Sequence, residues 1–216
     1  MSVPELSARA PRAHPVRSLS GWGQTTRSSC RVIQPRGVAE VLEALASHAG
    51  DAGNDAGVIA RGAGCSYGDA AQNDGGTVLD MTALDRVVSI DPANRLVTAQ
   101  AGATIAQLMA RLAAHGLTLP VVPGTRHVTL AGAIASDIHG KNHHRDGAFA
   151  RHVTSLSLCT PAGDVKELSH ESDPDLFYAT LGGMGLTGVV VEATVRAESL
   201  LSPWVTADTD RTSGLE

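Results

Sequence analysis

Apolar residues recur at helical spacing in two stretches. Val38, Val41, Leu42 and Leu45 fall at i, i+3, i+4 and i+7 and predict a helix ending near Gly50. Ile105, Leu108, Met109 and Leu112 repeat that spacing, with Thr104 placed to cap the helix and Gly116 to stop it. Shorter apolar runs have strand length. Arg31–Pro35 reads as a strand entering the first helix, and Val58–Ala60 and Thr77–Met81 as two more, with DAGNDAG as the turn before Val58. Val87–Ile90 and Leu96–Ala99 flank the turn residues DPAN, and Leu156–Thr160 and Val165–Leu168 flank PAGD; both pairs predict hairpins. LTLPVVPGT is extended and Pro-broken, whereas the small residues of TLAGAIASD predict a helix able to lie closely on a flat surface. Asp173–Leu181 reads as a short helix and Val189–Val195 as a buried strand. Antiparallel pairs mixed with helices make the class α+β.

A chain of 216 residues suits one large domain or two small lobes sharing a core. Only 3% of residues are aromatic, so the core must be built from Ala, Val, Leu and Ile. A net charge of −5 argues against nucleic acid as a partner. No apolar run approaches the ~20 residues of a membrane span, and the arginine-bearing start lacks the apolar stretch of a secretory signal. Residues 1–19 read as a disordered leader, 20–200 as the folded domain and 201–216 as a tail. Cys30, Cys65 and Cys159 are odd in number and widely spaced, which suits a reducing compartment and shows no zinc pattern. The expected location is cytoplasmic or peripheral to a membrane.

Three segments carry candidate chemistry. RGAGCSYGD, Arg61–Asp69, follows a strand and concentrates glycines; it is either a tight surface turn or a loop whose backbone N–H groups wrap an anion. It is not a Walker A loop, because no Gly-Lys-Ser/Thr follows. PGTRHVTLAGAIASDIHGKNHH, Pro123–His144, joins a Pro-Gly turn, small residues through which a backbone can approach a planar or phosphorylated ligand, and a polar cluster. Thr129 is placed to cap its helix. His139 and His143 have i, i+4 spacing, but Gly140 follows His139 where a zinc helix needs Glu, so the histidines read as solvated loop residues and no metal is expected. GGMGLTG formally satisfies G-x-G-x-x-G at Gly183, Gly185 and Gly188, yet it runs from helix to strand, the reverse of the dinucleotide motif. Asp69, Asp80 and Asp137 read as caps or turn formers.

In this order, IARGAGCSYGDAAQN, LPVVPGTRHVTLAGAIASDIHGKNHH and LFYATLGGMGLTGVVVEATV resemble the flavin-binding half of the vanillyl-alcohol-oxidase-type (PCMH-type) FAD oxidases. Within that superfamily the chain is most similar to the decaprenylphosphoryl-β-D-ribose 2′-oxidase family of cell-wall arabinan synthesis, through the GWG at Gly21, SYGD at Ser66–Asp69 and DIHGKNHH at Asp137–His144. The resemblance covers about residues 20–200.

It implies two α+β lobes gripping an extended FAD. Ala60, Arg61, Gly62, Ala63, Gly64, Cys65, Ser66, Tyr67, Gly68, Asp69 and Ala70 would hold the pyrophosphate through backbone N–H groups. Gly124, Thr129, Leu130, Ala131, Gly132, Ser136, Asp137, Ile138 and His139 would line the other side, and Gly185 and Val191 would complete the pocket. Many relatives tether the flavin through a His in the first loop; Cys65 stands at that position, which implies noncovalent FAD. Tyr67, His139 and Lys141 would lie near the flavin ring and substrate, with Lys141 stabilising reduced flavin or binding a substrate phosphate. The implied reaction oxidises the 2′-carbon of a lipid-linked ribose with FAD as acceptor, and the keto sugar passes to a partner reductase. The alternatives are a noncatalytic FAD-binding fragment and a sugar, aldonolactone or alditol oxidase. The family is about twice this length, and its substrate domain is expected to lie outside this sequence, as a missing half or a second chain.

Overall fold

The computed structural model describes residues 14–49, 56–204 and 206–214. The first lobe is built on a four-stranded sheet. Its strands are β1 (Val16–Leu19), β2 (Ser28–Ile33), β3 (Val58–Arg61) and β4 (Thr77–Asp80), in the order β1-β2-β4-β3. β4 runs parallel to both β2 and β3, so the chain must cross over between β2 and β3, and helix α1 (Val38–Ala49) makes that crossover.

The second lobe is a five-stranded antiparallel sheet of β5 (Val87–Asp91), β6 (Leu96–Gln100), β8 (Val153–Cys159), β9 (Val165–Ser169) and β10 (Val189–Arg196), in the order β5-β6-β10-β8-β9. Both hairpins expected from the alternation are its outer pairs. Helices α2 (Ile105–Ala113), α3 (Leu130–Ala135) and α5 (Pro174–Thr180) cover one face. Thr104 caps α2 in a reciprocal capping box with Gln107, and Gly116 follows at φ +66°, a conformation that favours glycine. A short pair, β7 (Leu117–Thr118) with β11 (Glu198–Ser199), and a four-residue helix α4 (His143–Asp146) complete the elements.

Two cores hold the lobes. Leu108, Leu112, Ile134, Phe149, Leu156 and Val195 are fully buried between the five-stranded sheet and its helices. On the other face, Val41 and Leu45 of α1 meet Leu79, Cys159, Val189 and Val191, so α1 is shared between the sheets. Burial pushes the Cys159 thiol up to about 11. All three cysteines are free.

The structure corrects the expected leader. Val16–Leu19 is not disordered but pairs residue for residue with Ser28–Arg31 of β2. Its first three side chains are exposed, so it carries no apolar pattern; backbone pairing and the packing of Leu19 against Cys30, Val32 and Val78 hold it. Residues 1–13 of that leader and most of the DAGNDAG turn lie outside the described residues. No helix is long and apolar enough to cross a membrane among the described residues.

Candidate functional site

A cleft of about 360 Å³ runs between the lobes, with β3 and its following loop on one side and α3 on the other. The loop turns sharply, with Gly64 at φ +70°. Opposite it, the Thr129 hydroxyl caps α3 by accepting from the Gly132 N–H. The two walls approach so closely at Gly62 that a Cβ there would collide with Thr129 Oγ1. Small residues then floor the cleft along α3: Ala131, Gly132, Ala135 and Ser136 lie at helical spacing on the exposed side of the helix.

The α5–β10 turn closes the far end. Its glycines serve the backbone: Gly182 and Gly185 have φ +75° and +79°. The Gly182 and Met184 N–H groups donate to the Ile134 and Ala135 carbonyls, which docks the turn on the end of α3.

The structure brings most of the sequence-predicted residues together here. Ala60, Arg61, Gly62, Ala63, Gly64, Cys65, Ser66, Tyr67 and Ala70 line one wall; Thr129, Ala131, Gly132, Ser136 and Ile138 line the other, with Gly185 at the end. Several of the others lie elsewhere. Gly68 and Asp69 are exposed on the outer turn of the loop. Leu130 is buried in the core, 1% exposed, because it sits on the face of α3 turned to the sheet. Asp137, at φ +40°, accepts from the Ala150 N–H and so fastens the chain after α3. Asp80 caps the turn after β4 through the Thr82 N–H, again a structural role.

Val191 does not line the cleft. A bulge between Val190 and Glu192 leaves Val191 turned into the core beside Val41 and Leu79, and Val190 faces the cleft instead. Gly188 of the GGMGLTG turn also lines it, as do Met81, Val128, Thr180 and Met184, which were not singled out in the sequence. Val128 lies just before the Thr129 cap, outside α3, and Met81 and Thr180 come from separate elements, so none of the three carries a local signal.

Beyond Ile138 the chain enters a second, shallower groove of about 830 Å³, lined by Pro120, Val122, Gly124, His139, Lys141 and Glu198. Gly124, His139 and Lys141 therefore share this groove rather than the cleft. His139 and Lys141 are exposed, and His139 stands edge-on to His143 with ring centres 5.6 Å apart. Asn142 holds the segment by donating to the Pro120 carbonyl at 2.8 Å and to Asp146 at 2.6 Å. Hydrogen bonding from Arg145, then from Asn142, keeps the Asp146 carboxyl below its ordinary range. No cluster of three or more His, Cys, Asp or Glu is placed to hold a metal among the described residues.

The cleft's composition states what it can hold. Its lining is apolar and small, it contains no carboxylate, and Arg61 is its one charged residue. That suits a flat, largely apolar ligand bearing negative charge, with loop N–H groups to meet the anion. A family model described as an FAD binding domain matches residues 30–169. This chain belongs to that family. FAD is the cofactor, and the glycine cradle and carboxylate-free walls fit it.

Several curated proteins are similar to this FAD-binding domain. It is 46% identical over 201 residues to the decaprenylphosphoryl-β-D-ribose oxidase of Mycolicibacterium smegmatis, covering 93% of this chain and 43% of that protein. It is 34% identical to a mitochondrial L-galactono-1,4-lactone dehydrogenase of Oryza sativa (87% of this chain, 31% of the relative). A putative D-arabinono-1,4-lactone oxidase of Neurospora crassa is 32% identical (88% and 33%). The domain thus spans less than half the length of these relatives.

Proposed function

We propose that this chain is the cofactor-holding part of an FAD-dependent oxidoreductase acting on a hydroxyl of a lipid-linked sugar, with the 2′-hydroxyl of decaprenylphosphoryl-ribose as substrate. One observation supports the reading most. Ile138 lines the flavin cleft and the next residue, His139, lines the polar groove, so cofactor and substrate surfaces meet within one segment. Bound there, FAD supplies the two-electron acceptor.

The chain's own groups supply recognition. Lys141 is exposed at the groove and forms no ion pair among the described residues, so its ammonium is available to a phosphate. A neutral lactone gives such a cation nothing to pair with, which favours the sugar phosphate over the substrates in the other relatives' names. His139 is in reach of the same ligand as a hydrogen-bonding group. Tyr67 stands at the rim, packed edge-on against Trp22.

In this reading the cofactor is noncovalent, because Cys65 offers a thiol where many relatives of this type carry the tethering His. The lipid substrate brings the protein to a membrane surface, and the keto product calls for a partner reductase. A second reading, a flavin-binding module without turnover of its own, is favoured by the exposure of His139 and Lys141; a further chain or segment would then cover the groove.

Acid precipitation of the yellow protein tests the cofactor: FAD is expected in the supernatant, and flavin left in the pellet would overturn noncovalent binding. Anaerobic mixing with a prenylphosphoryl-ribose is expected to bleach the flavin at 450 nm (roughly the oxidised-flavin band). A loaded protein that stays yellow supports the module reading, and bleaching by an aldonolactone alone supports the lactone relatives.

A further inference from the structure

The GWG segment lies outside the cleft, yet it is built onto the cofactor loop. The Trp22 N–H donates to the Ser66 carbonyl at 2.7 Å. A Cβ on Gly21 would collide with the Gly68 and Ser66 carbonyls, and one on Gly23 would stand 2.5 Å from the Tyr67 carbonyl. Both glycines are therefore required by contact with the loop. The Trp22 and Tyr67 rings meet edge-on at 5.2 Å above them. With its amide oriented as its neighbours demand, Gln72 accepts from the Gly21 N–H at 2.9 Å and donates to the Leu19 carbonyl at 3.0 Å.

Arg61 ties this arrangement together from beneath. One guanidinium nitrogen donates to the Ser20 carbonyl at 2.7 Å, the other to the Ala71 carbonyl at 2.9 Å. Ser20 begins the outer segment and Ala71 ends the loop. The same guanidinium fills the space where a Cβ on Gly64 would stand. The guanidinium offers a separate nitrogen to each carbonyl, whereas an ammonium would have to reach both from one nitrogen.

We infer that Ser20–Gly23 is a strap that holds the cofactor loop in its binding shape, and that Arg61 is the positioning residue that fastens it. The inference rests on the FAD reading of the cleft. Its content is that flavin affinity depends on residues 20–23, which do not line the cleft, and that Arg61 acts through the loop's shape rather than through its charge alone. A preformed loop presents its N–H groups without first being ordered, and binding is tighter by the ordering that is avoided.

Three variants of the 216-residue chain separate the possibilities: G21A, R61K and R61M. Two measurements are made on each, FAD affinity by titration and amide hydrogen exchange of residues 62–68 in the flavin-free protein. G21A adds a methyl with no change of charge and is expected to weaken FAD about tenfold and to raise loop exchange. R61K keeps the charge and loses the bridge; a loss of about tenfold is expected, with about a further threefold for R61M. The thermal midpoint is recorded for each, and a variant that does not fold is replaced by W22G, which removes the Tyr67 contact.

R61K binding FAD as the wild type does would show that charge suffices and would overturn the positioning role. Unchanged loop exchange in G21A and R61M would overturn the strap. If the wild type itself takes up no FAD while loop exchange still rises in the variants, the strap stands as a device of the fold and the flavin reading falls instead.

Discussion

The cleft and the adjoining groove share the segment from Ser136 to Lys141 but are built in opposite ways. The cleft is made of backbone and small side chains, contributed by β3, its loop, α3 and the α5–β10 turn, with the turn hydrogen-bonded to α3 and the loop closely packed against Thr129. The groove presents the exposed side chains His139 and Lys141 over a wall of prolines and valine. The cofactor is met by backbone amide groups and shape. Under the proposed reading, the substrate would meet the exposed charge of Lys141. The chain thus carries a cleft lined by small residues beside a groove bearing exposed polar side chains.

Five measurements can break or sharpen that contrast. The largest effect is expected for G62V, whose side chain must displace Thr129; overpacking of about 1–3 kcal/mol corresponds to as much as a hundredfold loss of FAD affinity. Titration with FAD checks it, and binding left within threefold would mean that the two walls are not the site. Next, alkylation at pH 8 should modify Cys65 and be slowed about tenfold by bound FAD, as expected for a thiol on the cleft wall. Cys30 and Cys159 are buried and should stay unmodified. The native state keeps the Cys159 proton up to a pKa of about 11, whereas an unfolded thiol releases it above 9.0. Stability from this group is therefore present below pH 9 and declines as pH rises towards 11. Urea midpoints at pH 8 and pH 10 read that slope.

A smaller effect is expected at the α3 cap. T129V removes the acceptor for the Gly132 N–H and should cost about 1 kcal/mol in urea unfolding, with FAD weakened about fivefold. The smallest is K141M, which should leave FAD affinity within about twofold, since an exposed charge contributes little to a neighbouring site. If K141M lowers FAD affinity as far as G62V, the groove belongs to the cofactor site and the contrast fails.

The elements that follow local rules were legible in the sequence. The spacing of Val38 to Leu45, the Thr104 cap and the two hairpin turns each specify their structure within a few residues, and the lobes follow from them. β1 was not legible, because Val16, Arg17 and Ser18 are exposed and the strand is held by pairing with β2 and by Leu19 alone. The glycine loops announced close approach, yet not to what: Gly21 and Gly62 each answer to an atom more than forty residues away in the sequence. The resemblance assigns Val191 to the cleft, whereas in this chain a bulge in β10 turns it into the core and Val190 lines the cleft. His139 and Lys141 were legible as a polar cluster, but their separation from the cleft depends on how the Pro120–Gly124 stretch folds back beneath Asn142.

The order of strands in the second sheet bears on how the protein is made. β10 sits between β6 and β8 although it emerges from the ribosome after both. Until residue 196 is synthesised, the nascent chain carries two hairpins whose inner edges face an empty slot, and exposed edges of that kind recruit other strands. The flavin cleft takes its end wall from the turn that leads into β10, so cofactor uptake has to follow closure of that slot.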